Sequence, residues 1–595
     1  MPSPIVPATT SPLPQPVLVE AAGHTCVAWW HAPAPAAAQP LAVVLAGSWG
    51  EADMAGYDAQ RALAVALARG GLGTLRFEWP DTGDSSAATG ATTIADALDA
   101  FEAAARRALV LSGRERLAFA GRGLGALLAA HAALARQDVD ALVALAPVAS
   151  GAAFVREQAG DGAAVVRPGP ALLPGAVVDP AELPVALGGF TLPARRLEAL
   201  AALRWPAAAT TSVLEALLVG PAGSGSRAAA DALARMGVRV RESVAGEMSD
   251  AGEAGDGAVV DWLRERAADA SVLHGVPAIA GFGVADPGNA RVHASLAATR
   301  LEAATAAVLS LAAAAAPVWM RLRERGLALR ERVVRIDDGR GPVLAGIVSE
   351  RDPAADGARA GRHAIVLLSD GERRVGPHRL WVPWARHRAA HGDVVLRLDA
   401  AGVGDSEPAT RGGEGQPGDV ARAVAWLRCE LGVAACSVVS VGAGAQHAWD
   451  AVADGADVQR IVAIDPPFSR RSLARWLRRP FEAELAGAAE RGVAVDLVLC
   501  GDLRSATGRG ARALLRDGRM IASHLASAQP GFAAPADREA LYVRLDALIR
   551  APVNGSPGAS GVAGAAAAAA WRTEARTTPA TEALRLIARV SGAAT

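Results

Sequence analysis

The chain has 595 residues, enough for two large α/β domains or roughly three to four of ordinary size. Sixty basic residues, every one of them Arg, stand against 61 acidic ones, a formal charge of −1 with His neutral, so no bulk field recruits nucleic acid or an anionic membrane. The absence of lysine excludes a pyridoxal Schiff base, a phosphate-loop Lys and a Ser-Lys dyad.

The chain opens with Met1 to Pro16, Pro-rich and uncharged, without the positive start and apolar run of a signal peptide; this reads as a flexible lead-in of a cytoplasmic protein. Strand-like runs at Val17 to Val19 and Cys26 to Trp30 predict an antiparallel entry. Leu41 to Leu45 predicts a buried strand running into a loop with Gly47, and an Ala- and Arg-rich helical stretch follows. A second strand, Leu75-Arg76-Phe77-Glu78, leads to Gly83-Asp84-Ser85. After another helix come Leu117 to Ala120, a glycine turn, an Ala-rich helix, and a strand from Ala141 to Leu145 that runs into Pro147.

Residues 266–330 read as an Ala-rich helical connector. Within it, Ala303 to Met320 carries no charge, but its alanines and Pro317 make it a packed helix and not a membrane span. Arg321 to Arg335, interleaved with Glu324 and Glu331, reads as a charged linker helix.

Then the script repeats. Val333 to Ile336 and Val343 to Val348 are entry strands, Ala364 to Leu368 runs into a loop with Gly371, and Leu396-Arg397-Leu398-Asp399 precedes Gly404-Asp405-Ser406. The offset from the first copy is 321 residues at Arg76/Arg397, Gly83/Gly404 and Ser85/Ser406. Ser437 to Val441 and Ile461 to Ile464 follow, the latter reaching Pro466. Apolar strands alternating with helices predict mostly parallel sheets flanked by helices. The expected organisation is a flexible segment 1–16, domain 1 over 17–265, the connector 266–330, domain 2 over 331–550 and a low-complexity tail 551–595. Four cysteines, Cys26, Cys429, Cys436 and Cys500, show no CxxC spacing, which argues against a zinc site or disulfide framework and for free, buried thiols in a reducing compartment.

This order of elements resembles the α/β-hydrolase fold in two tandem copies. Closer still, both copies resemble bacterial serine-aminopeptidase-like proteins and hydrolase-like proteins associated with exosortase and exopolysaccharide loci. The likeness rests on Gly121-Arg122-Gly123-Leu124-Gly125-Ala126, Ala146-Pro147-Val148 and Gly189-Phe190 in the first copy. In the second it rests on Gly376-Pro377, Gly402-Val403-Gly404-Asp405-Ser406 and Gly444-Ala445-Gln446-His447-Ala448. The resemblance implies a nucleophile at the centre of a G-x-S-x-G corner, where a strained strand-to-helix turn lifts the attacking oxygen above the sheet.

Here the first copy carries Gly123 at that position. Counting back from Pro147 and Pro466 places Gly442 there in the second copy, while the 321-residue offset would place Gly444; neither has a side chain. No His lies between His131 and His274, so the first copy offers no base near Gly246 to Ala251. In the second copy Pro530 stands where the resemblance implies the His, with His524 six residues earlier. Asp502, after Gly501, is a surviving candidate acid.

Three readings compete. One is a non-catalytic binder or scaffold for an acyl or saccharide small molecule, or for a protein partner. Gly47 and Gly371 then line the loops, and Arg475 and Arg478 sit in a basic lid segment (Arg470, Arg471, Arg475, Arg478 and Arg479 around Trp476) that suits an anionic ligand or is a solvated helix face. A second is an ester, amide or thioester hydrolase, or an acyl-transfer enzyme, with Ser440 as nucleophile, His447 or His524 as base and Asp502 as acid; Ser440 read plainly is a packed strand residue and His447 a first-turn helix residue. A third is dinucleotide binding at Gly121-x-Gly123-x-x-Ala126, which lies in the third βα turn instead of the first and has no ribose-binding carboxylate at the next strand end. The leading reading implies no cofactor, no metal, no nucleic acid and no transmembrane segment.

Overall fold

The computed structural model of the protein describes residues 13–34, 37–159, 184–207, 211–243, 251–273, 319–356, 362–369, 371–408, 418–466, 493–500, 521–525, 528 and 531–551. Two compact units result. Among the described residues the first comprises 13–159 and 195–273, the second 184–194 and 319–551.

The first unit is built on β1 (Gln15–Ala21), β2 (His24–His31), β3 (Leu41–Ala46), β4 (Thr74–Phe77), β5 (Arg116–Arg122), β6 (Val139–Leu145), β9 (Glu215–Val219) and β10 (Arg239–Ser243), in the order β1-β2-β4-β3-β5-β6-β9-β10. β1 and β2 pair antiparallel, β2 meets β4 antiparallel, and every later pairing is parallel. The central strands are apolar without interruption because both faces are covered; β3 is buried at all six positions. The helices are α1 (Glu51–Arg69), α2 (Ile94–Ser112), α3 (Leu124–Leu134), α4 (Gly151–Ala159), α5 (Ala194–Ala202), α6 (Ser224–Arg235) and α7 (Ala251–Leu273). Local chemistry sets their ends. At α2 the Thr93 hydroxyl accepts from Asp96 N–H at 3.1 Å while the Asp96 carboxylate accepts from Thr93 N–H at 2.7 Å, and Gly113 stops the helix in the left-handed region.

The second unit repeats this plan with one strand added at its edge. β11 (Trp319–Glu324), β12 (Leu327–Ile336), β13 (Leu344–Arg351), β14 (His363–Leu368), β15 (Val394–Leu398), β16 (Ala435–Val441), β17 (Arg460–Ile464), β18 (Ala494–Cys500) and β19 (Ile521–Leu525) lie in the order β11-β12-β13-β15-β14-β16-β17-β18-β19. Its longer helices among the described residues are α8 (Trp381–Ala390), α9 (Asp419–Leu431), α10 (Gly444–Ala453) and α11 (Pro535–Arg550). From β12 onward the succession of pairings reproduces that of the first sheet.

The charged-linker-helix expectation for Arg321 to Arg335 is corrected: these residues form the β11–β12 hairpin. Alternation, not a 3.6-residue period, governs them: Met320, Leu329 and Glu331 are buried on one face, and further along β12 Val334 and Ile336 are buried on the other. Residues 274–318, most of the expected connector and of the uncharged Ala-rich run, lie outside the described residues. Two shorter elements escaped the sequence. β7 (Pro184–Leu187) and β8 (Phe190–Pro193) make a hairpin that belongs with the second unit although it falls between β6 and β9 in the chain. Phe190 meets the His378 ring edge-on at 5.7 Å, and a Cβ on Gly189 would overlap that ring.

The repeated Gly-Asp-Ser has the same structural job in both copies. A carboxylate at the end of the fourth strand, Glu78 or Asp399, accepts the Asp84 N–H at 2.7 Å or the Asp405 N–H at 3.0 Å. Gly83 (φ 51°) and Gly404 (φ 53°) lie directly against that carboxylate, where any Cβ would overlap it. The following serine bridges strands: Ser406 donates to Asp399 C=O at 2.8 Å and accepts Ala345 N–H at 2.8 Å, and Ser85 accepts Val27 N–H at 3.1 Å.

Arg replaces Lys as the buried cation. Arg397 donates to Glu331 at 3.0 Å alongside Arg386 and Ser349; burial alone would raise the Glu331 carboxyl, but the two guanidiniums outweigh it and hold it below the usual range. Its counterpart Arg76 lies 4.6 Å from the centre of the Tyr57 ring instead.

Candidate functional site

The strand-to-helix corner after the fifth strand is the place where this topology carries an attacking side chain. In the first unit that corner is Gly123, with φ 56° and ψ −119°, between β5 and α3. Such a backbone is strained for any residue with a Cβ. In the second unit the residue between β16 and α10 in the same hydrogen-bonding position is Gly442, φ 60°. Gly123 N–H donates to Leu145 C=O and Gly442 N–H to Ile464 C=O, both at 2.9 Å, which fixes Gly442 and not Gly444 as the counterpart of Gly123.

Around Gly123 the space is already used. A Cβ there would lie 2.9 Å from Ser48 Oγ, a hydroxyl 2 % exposed, and Leu124 N–H points at the same Oγ at 3.4 Å. Leu124 N–H is the amide that follows the corner, the usual oxyanion donor of this architecture. The Ser48 loop is pinned from below, since the Trp79 indole N–H donates to Ser48 C=O at 2.7 Å and Gly47 C=O at 3.1 Å. Gly47 itself has no room for a side chain, because a Cβ would overlap Asp53.

In the second unit the residue facing the corner helix in the place of Gly47 is Ser369, whose C=O lies 3.2 Å from a Cβ built on Gly444 and whose hydroxyl accepts the Trp381 indole N–H at 2.8 Å. Gly371 lies two residues further on in the loop after β14 and is exposed.

Two ionisable groups flank the first corner. Burial lowers the Arg122 guanidinium, and burial raises the Asp256 carboxyl to about 6 despite the opposing pull of Arg122.

The other residues picked from sequence are placed as follows. Ser440 is fully buried within β16, opposite Leu368 and Ala463, and its Oγ has no hydrogen-bond partner among the described residues. His447 stands in the first turn of α10 with a buried, unpartnered Nδ1, so Ser440 and His447 are not brought together. His524 is exposed on β19 opposite Leu499. Asp502, Arg475, Arg478 and Pro530 lie outside the described residues. Three of the four free cysteines are buried, whereas Cys429 is exposed. Burial raises the Cys500 thiol, reinforced by its bond to Asp465.

One constellation was missed. At the N-terminal edge of the second sheet, His363 Nε2 lies 2.9 Å from Ser437 Oγ and His363 Nδ1 3.0 Å from Asp393 Oδ1, while Arg388 Nε donates to Asp393 Oδ2 at 2.8 Å. This is a Ser-His-Asp relay in sequence of contacts. It sits at the opposite end of the strands from Gly442, and Ser437 is 3 % exposed. No sequence signal marks it, because the three residues come from three strand beginnings 30 to 74 positions apart.

Among the described residues no group of His, Cys, Asp and Glu is placed to hold a metal ion, and no helix is long and apolar enough to cross a membrane.

No family model matches the chain. No curated protein matches it either. Solved structures do. Est1E from Butyrivibrio proteoclasticus is 20 % identical over 43 % of this chain and 99 % of its own, with a TM-score of 0.32. An α/β serine hydrolase without lid from Xanthomonas campestris is 16 % identical over 47 % of this chain and 100 % of its own, TM-score 0.27. The esterase domain of a Rhodothermus marinus protein is 20 % identical over 42 % and 98 %, TM-score 0.30. The strand order carries the fold: the chain holds two mostly parallel sheets flanked by helices, both in the order of the α/β-hydrolase fold.

Proposed function

We propose that this is a degenerate tandem α/β-hydrolase-fold protein that binds a ligand without turning it over. The observation that carries the reading is the corner at Gly123, where strained backbone is kept, no side chain is present, and Ser48 Oγ sits against the vacant position and its oxyanion amide. Gly442 repeats the bare corner. Loss of a nucleophile or its base removes about 10⁶ in turnover, and an oxyanion hole with binding alone leaves roughly 10³–10⁴ over water. The ligand classes that suit such clefts are an acyl chain, a saccharide or a protein segment, and the unpaired thiols favour a cytoplasmic setting. Hydrolysis of p-nitrophenyl esters of graded chain length tests it: the rate should stay at the level of a Gly123→Ala protein, and saturable turnover would overturn it.

A second reading, a serine-type hydrolase with unconventional residues, is favoured by one observation, the Ser437–His363–Asp393 relay. Under it, esterase activity should vanish in Ser437→Ala and survive in Ser440→Ala.

A further inference from the structure

The edge of the second sheet carries cations that the proposed corner sites do not use. Directly opposed residues of antiparallel strands share a face, so Trp319, Arg321 and Arg323 of β11 lie on one face with Arg332, Arg330 and Ala328 of β12 and with Val348 and Glu350 of β13. The opposite face of β11 is spent on packing: Met320 is buried and Leu322 packs with Leu329, Ala389 and Ala390.

The anions on the shared face are already engaged. Glu350 is fully buried and bonded by both Arg330 (2.7 Å) and Arg362. What remains is cationic. Arg321 is 80 % exposed with only a distant Asp352 at 3.5 Å, Arg323 is exposed, and Arg325 in the turn is 72 % exposed beside Glu324 at 3.9 Å. Arg332 lies 5.0 Å from the Trp319 ring and 5.6 Å from the Trp426 ring, with its Nε buried and without a hydrogen-bond partner. Trp319 also carries Arg330 at 3.8 Å, so its ring holds guanidiniums in place and is not open for stacking a base.

β11 is the terminal strand, and no described strand pairs with its outer edge. An edge lined with like charge repels a second copy of itself, which is one way natural sheets avoid self-association. The same ladder accepts a strand of opposite charge: side chains two apart along an added strand meet Arg321 and Arg323 in turn while its backbone bonds the open edge.

We propose that the outer edge of β11, with Arg321 and Arg323, is a docking edge for an extended acidic peptide segment that adds to the sheet as a further strand. The partner alternates Glu or Asp with β-branched residues and is free of proline in its pairing register.

The test uses the full chain and fluorescein-labelled peptides. An eight-residue peptide alternating Glu with Val should bind saturably and weaken with salt. Binding should fall at least about ten-fold in Arg321→Ser/Arg323→Ser, whose exposed positions leave the melting temperature unchanged. A peptide of equal charge with a central Pro should bind at least about ten-fold more weakly, because it cannot complete the ladder. Equal binding of the Pro peptide, tighter binding of a single-stranded oligonucleotide, or no saturable binding would each overturn the proposal.

Discussion

Ser48 Oγ lies 2.9 Å from the point that a Cβ on Gly123 would occupy. The two residues come from facing segments, the loop after β3 and the corner after β5, and they divide between them a place that one side chain fills in a working enzyme. A serine placed at the corner therefore meets both the left-handed backbone and the Ser48 hydroxyl. Gly123→Ser should destabilise the protein by about 1–3 kcal/mol, from backbone strain and the clash with Ser48. Adding Ser48→Ala should return part of that loss, and the non-additivity is read from a thermal-melt double-mutant cycle.

Gly83→Ala and Gly404→Ala should each cost about 1–3 kcal/mol, since both put a Cβ on a left-handed backbone and into a carboxylate. Equal losses by chemical denaturation would show that the repeated motif is structural in both copies.

The acid limb of stability should depend on Asp393. Burial alone would raise its carboxyl, but the hydrogen bond from His363 and the Arg388 guanidinium outweigh burial and hold it below the usual range. A depressed folded value contributes stability that is present above the unfolded value of about 3.9 and is lost as pH falls through the folded one. Asp393→Asn should therefore melt lower at pH 7, and the gap to the parent protein should close as the pH drops below about 4.

Asp256 has the opposite sign. Its folded value is raised to about 6, so ionising it above that pH costs stability, and the cost disappears below the unfolded value. Asp256→Asn should raise the melting temperature at pH 8 and leave it unchanged at pH 3.5.

Much of the fold was legible because it rests on short-range signals. Leu41 to Leu45 and Ala364 to Leu368 are buried strands that read as continuous apolar runs, and the Ser85/Ser406 match reflects one bridging geometry used twice. The corners were legible because Gly123 and Gly442 keep a fixed distance to the proline after the next strand. The β11–β12 hairpin was misread because six of the fifteen residues from Arg321 to Arg335 are Arg, and cross-strand pairing such as Arg330 with Glu350 gives charge a spacing that mimics a helix face. Ser48 was passed over because its position depends on a loop folding back over α3, and the Ser437–His363–Asp393 contacts depend on three strands coming into register; neither leaves a local pattern.

Labelling the full chain with a fluorophosphonate probe and mapping the adduct by mass spectrometry tests the central claim most directly. The inert-corner account predicts no stoichiometric adduct on any serine, Ser48 included. A stoichiometric adduct on Ser48, Ser437 or Ser440, abolished by the matching Ala substitution, would contradict it.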